Sequence, residues 1–491
     1  MAGIGFELET LFKRKGILST LRAYGYTAIV CVGPMLLGVI LLLSVRLLAE
    51  WGGALWQEQD FLVSMITYCL LASLIYSNTF SVVTTRFVAD MLYLEKVDCI
   101  IPSLFGSTAL LLVLGAGGYG TFLFFSGVEL IYKLLCLVLF SELIMVWSQI
   151  NYISAIKDYR KVLLVFLGGT AAAIICGFVF IILGVNIVVS MMMAVCCGYG
   201  FMIVGYYSVL LRYFPYNKNG SFTFLKWLDR YPSLILNGIF TSIGLFAHLI
   251  IIWFSPIGIH VEGQFYSAPL YDIPALIAFL TTLVTTVNFI ASTEVKFYPK
   301  YRRYFDLFNE GGTMTDIEFA EQDMLIVMRQ ELFYLALKQF IVSILAIAVG
   351  RFVLQSAYLG FNHTTLGTFH ILCIGYGVYA VANNIMLILL YFSDYRGAVI
   401  AVISFAFVST STTLFLLNNN FSYYGFGFFI GTAVMYITVV LRLNSYTKKL
   451  QYHVLTSQPV LKHERIAFWT KLGDLLERRL SEEKRDVEIT E

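Results

Sequence analysis

Twelve apolar runs, each long enough to cross a bilayer, constrain this chain more than any other feature. They fall at about 24–48, 61–85, 104–125, 130–155, 162–184, 187–211, 233–254, 273–293, 332–358, 366–392, 397–417 and 424–443. Crossing the hydrocarbon core takes about 20 apolar residues of helix. Unbroken runs of that length exclude the alternating pattern of a membrane β-barrel, so the spans are expected to be helices. Composition agrees. The chain is 59% hydrophobic and 13% charged, where a soluble domain carries about 25% charged residues. The expected fold class is an all-α polytopic membrane protein.

Orientation follows from the cations. With the N-terminus inside, 29 of the 33 Lys and Arg residues lie in inner segments, and the other four (Arg46, Lys133, Lys338 and Arg351) sit within span ends. The positive-inside rule then predicts both termini in the cytoplasm. Ahead of the first span, Leu8, Leu11, Phe12, Leu18 and Leu21 alternate with Glu9, Lys13, Arg14 and Arg22. A secretory signal would carry its basic residues at the start and a shorter core, so residues 1–23 are read as an amphipathic helix in the inner interface. The connector 212–232, the loop 294–331 and the charged tail 444–491 are the larger inner pieces. In the loop, Thr315 and Glu318 have capping-box spacing before a helix. In the tail, Ile466, Trp469, Leu472, Leu475 and Leu476 recur at helical spacing, which predicts a second amphipathic helix on the membrane or against a partner.

Two short matches recur six spans apart. Asp158-Tyr159-Arg160 follows the fourth span and Asp394-Tyr395-Arg396 the tenth; SNTFSVVTTRF in the second aligns with VNFIASTEVKF in the eighth, pairing Asn78 with Asn288, Arg86 with Lys296 and Phe87 with Phe297. An offset of six keeps the in/out sense, so the chain is expected to hold two six-helix lobes related as parallel repeats, 24–211 and 233–443. Two such lobes suit alternating access. An Asp–Arg pair at each corner also has a plain reading, as a tie across the turn.

Candidate pathway residues are the polar groups placed in spans. Glu142 lies near the middle of the fourth, where an ionisable group is costly and normally meets a cavity or a partner. The eighth span carries Thr281, Thr282, Thr285, Thr286, Asn288 and Ser292; Tyr76 to Thr79 form a patch in the second, and Asn383-Asn384 another in the tenth. Such groups can serve as glue between helices. They also supply the hydrogen bonds a sugar needs on leaving water. We take Glu142, Asn78, Asn288, Thr285, Asn383, Asn384 and Arg351 as the candidate substrate pathway. Arg351 near a span end can also snorkel, and the lone His248 reads as a core residue.

Several chemistries find no motif. Gly115 to Gly120 matches GxGxxG literally, but no strand precedes it and it lies in a span, where it reads as packing glycine. There is no phosphate loop, no HExxH and no metal-ligand spacing among the eight cysteines, so neither catalytic residues nor a cofactor or metal is expected. Nothing points to nucleic acid. A membrane-embedded transferase would need a convergent cluster of His, Asp or Glu, and six scattered His do not make one.

MAGIGFEL with the following basic patch and LRAYGY, RFVADMLYLEK after the second span, FYPKYRRYFDLF after the eighth and then GGTMTDIE resemble the PelG family, membrane transporters of the Pel exopolysaccharide system. The resemblance runs over nearly the whole chain and is weakest in the tail from about 444. It implies a flippase-like protein of the multidrug/oligosaccharidyl-lipid/polysaccharide superfamily, with twelve helices in two lobes. It further implies a multi-pass protein of the bacterial inner membrane exporting an N-acetylhexosamine-rich polymer, together with a PelF-like cytoplasmic glycosyltransferase and PelD- and PelE-like membrane proteins. The alternative on the same architecture is an ion-coupled exporter of cationic drugs, which would want acidic residues deep in a lobe; Glu142 keeps it open.

Overall fold

The computed structural model describes residues 17–156, 159–215, 220–356, 363–417, 421–457 and 467–490. Most of the N-terminal amphipathic segment, Asp158 and Ile466 lie outside the described residues. The helices are α1 (Ile17–Trp51), α2 (Trp56–Tyr93), α3 (Ile100–Phe125), α4 (Leu130–Ile156), α5 (Tyr159–Ile182) and α6 (Ile187–Tyr213). A short connector helix, α7 (Leu225–Arg230), leads into α8 (Pro232–Trp253). After a hairpin of β1 (Ile259–Glu262) and β2 (Phe265–Ser267) come α9 (Pro269–Leu280), α10 (Thr282–Ser292), α11 (Tyr298–Glu310) and α12 (Met314–Ser356). The chain continues through α13 (His363–Tyr391), α14 (Tyr395–Leu416), α15 (Phe426–Thr447), α16 (Leu450–Ser457) and α17 (Phe468–Thr490).

Twelve stretches of the described residues are long and apolar enough to cross a membrane. The eighth is irregular: α9 gives way to α10 at Thr281, and a π-helical turn, Thr293–Phe297, joins α10 to α11. The described part of residues 1–23, from Ile17, continues without a break into the first span.

Each half repeats one packing scheme. The fourth span, α4, packs on the second, third and sixth, and the sixth on the fifth; correspondingly α13, the tenth, packs on the eighth, ninth and twelfth, and the twelfth on the eleventh. The same neighbours recur at an offset of six, the pattern of a parallel repeat. Small residues allow the close approaches. A Cβ added at Gly198 would stand 2.7 Å from that of Ala173, and one at Gly431 2.6 Å from Ser409 Cβ. This is the small-residue interface expected where helices associate without a hydrophobic driving force. Gly115 and Gly118 of the GxGxxG stretch likewise abut Phe140 and Tyr76, which makes them packing positions.

By contacts the chain divides into two units. One comprises the described residues of Gly33–Ser242, Ile259–Ser267 and Leu461–Glu491; the other comprises those of Met1–Val32, Ile243–Gly258 and Ala268–Val460. The division falls inside α8, and α17 belongs with the first unit. The β1–β2 hairpin does too, because Phe265 is fully buried among Phe61, Tyr68 and Phe122. Tyr68 Oη accepts from the Tyr266 N–H and donates to its carbonyl, both at 3.1 Å.

Two local expectations are corrected. The cap of α12 is Thr313, whose Oγ1 accepts from Asp316 N at 3.2 Å, and not Thr315 with Glu318. Gly311, at φ +89°, ends α11 in the left-handed conformation and delivers the chain two residues earlier than the sequence pattern suggested. At the second DYR corner, Asp394 caps α14 through Gly397 N and pairs with Arg442 of α15 at 2.6 and 2.9 Å, so its ion-pair partner comes from another span.

Candidate substrate pathway

In the first unit, Glu142 projects from α4 toward α6. It is half-buried and hydrogen-bonds with the Cys196 thiol. Its Oε2 is buried with no protein partner among the described residues. Gly200 keeps the space beside it open, since a Cβ there would lie 3.7 Å from Oε1. A carboxyl oxygen left unmatched in a low-dielectric interior costs about 1–3 kcal/mol, so the position favours a water or a polar group from a passing molecule. Asn78 on α2 is half-buried and donates to Ser242 Oγ of α8 at 3.2 Å. Its backbone carbonyl lies against Gly238, so Asn78 is part of the α2–α8 contact.

In the second unit the polar face of the eighth span meets a matching face on α12. Thr285 hydroxyl donates to Gln339 Oε1. Asn288 Oδ1 accepts from Lys338 Nζ at 2.6 Å, and Ser292 Oγ donates to Glu331 at 2.5 Å. Lys296 in the π turn pairs with the same carboxylate at 2.6 Å, and Lys300 on α11 with Asp323 at 2.7 Å. Gln339 continues inward to Ser343 at 3.2 Å. Glu331, Lys338 and Gln339 were not singled out from the sequence. Their spacing of seven and eight residues, which puts them on one helical face, was the available signal.

The remaining candidates are dispersed. On α13, Asn384 is buried and Asn383 half-buried; Arg351 of α12 is exposed, beside His370. His248 is wholly buried between Tyr271 and Tyr376, its ring nitrogens 2.8 and 3.4 Å from their hydroxyls. A space of about 20 Å³ lies between Ser292, Thr293 and Glu331, enough for one water and too small for a sugar ring. The larger open groove, of about 600 Å³, runs past Arg302, Arg303 and Asp306 of α11, away from every candidate residue.

Twelve helices long and apolar enough to cross a membrane, packed as two halves that repeat at an offset of six spans, define a polytopic membrane protein with polar groups set within its spans. The fold has solved counterparts. A multidrug/oligosaccharidyl-lipid/polysaccharide (MOP) superfamily transporter from Pyrococcus furiosus superimposes with a TM-score of 0.55 at 13% identity, covering 87% of this chain and 96% of the other. A multidrug-resistance MATE transporter of that superfamily in an outward-facing conformation gives 0.53 at 14%, covering 87% and 96%. One in an inward-facing conformation gives 0.52 at 15%, covering 88% and 100%. No curated protein matches in sequence. The profile of the PelG family, described as "Putative exopolysaccharide Exporter (EPS-E)", matches residues 1–455. The chain belongs to the PelG family.

Proposed function

We propose that the protein moves a Pel-like, N-acetylhexosamine-rich polysaccharide across the bacterial inner membrane by alternating access of its two lobes. Both termini lie in the cytoplasm, and the protein works beside a PelF-like glycosyltransferase and PelD- and PelE-like membrane proteins. The observation that carries this reading is the family match over residues 1–455. The candidate residues support it. Asn78, Asn288, Thr285, Asn383 and Asn384 offer amides and a hydroxyl, the partners that a sugar's hydroxyl and acetamido groups require on leaving water. Lys338, exposed and bonded to Asn288, sets a positive charge beside that face. A cationic drug would be repelled there, and Glu142 is the one acid among the candidates.

The test is complementation of a host that has the synthase genes but lacks this gene. Secreted polymer should return only when the glycosyltransferase is also present, and resistance to a panel of cationic dyes should not change. Dye resistance conferred by this protein alone would replace the reading with the multidrug one.

A further inference from the structure

The fifth and sixth spans, α5 and α6, carry no Asp or Glu, and their charged residues are Arg160, Lys161 and Arg212. The two helices pack closely and antiparallel. A Cβ added at Gly198 would stand 2.7 Å from Ala173 Cβ, and one at Gly205 2.6 Å from Val165 Cγ1. The first turn of α5 therefore meets the last turn of α6, where Lys161 Nζ donates to Tyr213 Oη at 2.7 Å. All three cations gather at this one end of the pair.

Lys161 is engaged there; Arg160 and Arg212 are not. Both are exposed, and neither makes an ion pair or side-chain hydrogen bond among the described residues. By contrast Arg86, Lys296, Lys300 and Arg442 each face a carboxylate. Asp158, outside the described residues, is the one acid between residues 143 and 228, a stretch that holds six Lys and Arg. Each arginine also ends an outward apolar stripe. On α5, Arg160, Leu164 and Leu167 stand at i, i+4 and i+7; on α6, Phe201, Val204 and Arg212 stand at i, i+3 and i+11, and all six are exposed. The stripes adjoin, because a Cβ at Gly168 of α5 would meet the Phe201 ring at 2.8 Å. At 1.5 Å per residue the four apolar side chains lie about 6–17 Å from their arginine, the depth of one leaflet.

We propose that this face holds an anionic phospholipid, its phosphate between Arg160 and Arg212 and its acyl chains along the two stripes. Guanidinium groups suit the contact, since they bind phosphate through paired N–H donors. Lipid covers the outward apolar face of a span, and unmatched cations at the headgroup level select lipids of negative charge. No acid on either helix competes for them. The site is independent of which sugar is exported.

The experiment is native mass spectrometry of the full chain in mild detergent, after incubation with equal phosphatidylglycerol and phosphatidylethanolamine. Phosphatidylglycerol adducts should predominate. Arg160→Gln with Arg212→Gln should lower them at least about tenfold, leaving phosphatidylethanolamine adducts and the elution profile unchanged. Lys448→Gln with Lys449→Gln, a change to two exposed cations just past the twelfth span, should leave phosphatidylglycerol binding intact. Equal loss from the two pairs would reduce the effect to diffuse attraction, and no preference for phosphatidylglycerol would remove the site; either result overturns the proposal. In native membranes, benzoylphenylalanine at position 204 should label phospholipid. A polypeptide adduct there would give the face to a protein and overturn the proposal as well.

Discussion

The Asp394–Arg442 pair gives an asymmetric prediction that simple counting of bonds would reverse. Asp394 makes three hydrogen bonds, two from Arg442 and one from Gly397 N, and its side chain is 5% exposed against 39% for Arg442. Arg442→Ala strands a buried carboxylate with a single backbone donor. Stranding a fully buried charge costs about 3–5 kcal/mol; the partly open arginine side lets water in, which leaves about 2–3 kcal/mol. Asp394→Ala removes all three bonds, but Arg442 can rehydrate, so the main loss is the helix cap, about 1 kcal/mol. Arg442→Ala should therefore melt lower than Asp394→Ala, by about 1 °C per kcal/mol of difference for a chain of 491 residues unfolding together. The double variant should fall near Asp394→Ala, since no charge remains stranded. Thermal unfolding in detergent can be followed with a thiol-reactive dye, because Cys373 and Cys136 are fully buried in the native fold. If Asp394→Ala melts at or below Arg442→Ala, or the double variant is additive, the burial argument is wrong.

Two further predictions bear on the pathway. Glu142→Gln keeps the shape of the side chain and removes its charge, so polymer secretion should drop with membrane protein levels near normal; unchanged secretion takes Glu142 out of the pathway. Lys338→Leu takes the charged donor from Asn288 and should lower export, and Lys338→Arg should recover part of it; equal export by both, measured at matched protein levels, would leave this contact without a role in transport.

Most of the architecture was readable because a bilayer forces it. Length and apolarity gave twelve spans, and the recurrence of DYR with the alignment of Asn78 on Asn288 gave the parallel repeat, whose packing each half reproduces. Local chemistry was less legible. Thr313 and Thr315 compete for one cap, and the left-handed turn at Gly311 decides between them. The partner of Asp394 lies 48 residues away on another span, so no reading of the corner alone could supply it. The split of the eighth span at Thr281 and its π turn at Thr293–Phe297 have no marker in the hydropathy pattern, which reads 273–293 as one run.

The candidate pathway shows why a polar residue in a span is weaker evidence than it first looks. The hydroxyls and amide of α10 were visible in the sequence, but their partners on α12 are spread through an otherwise apolar stretch and become a ladder only in three dimensions. Thr285 and Ser292 donate, and Asn288 accepts, within the second unit. A hydroxyl proton or amide oxygen already matched must break that bond before it can serve a substrate itself, at a net cost of about 0.5–1.5 kcal/mol if neutral and about 1.5–3 if charged. The Asn288 oxygen is therefore open to a substrate only when Lys338 releases it, and the Lys338 variants test the two as a pair. Glu142 differs, because one of its oxygens is buried with no partner among the described residues. A molecule entering there gains a hydrogen bond without first breaking one, which makes Glu142 the stronger single candidate for contact with the transported molecule.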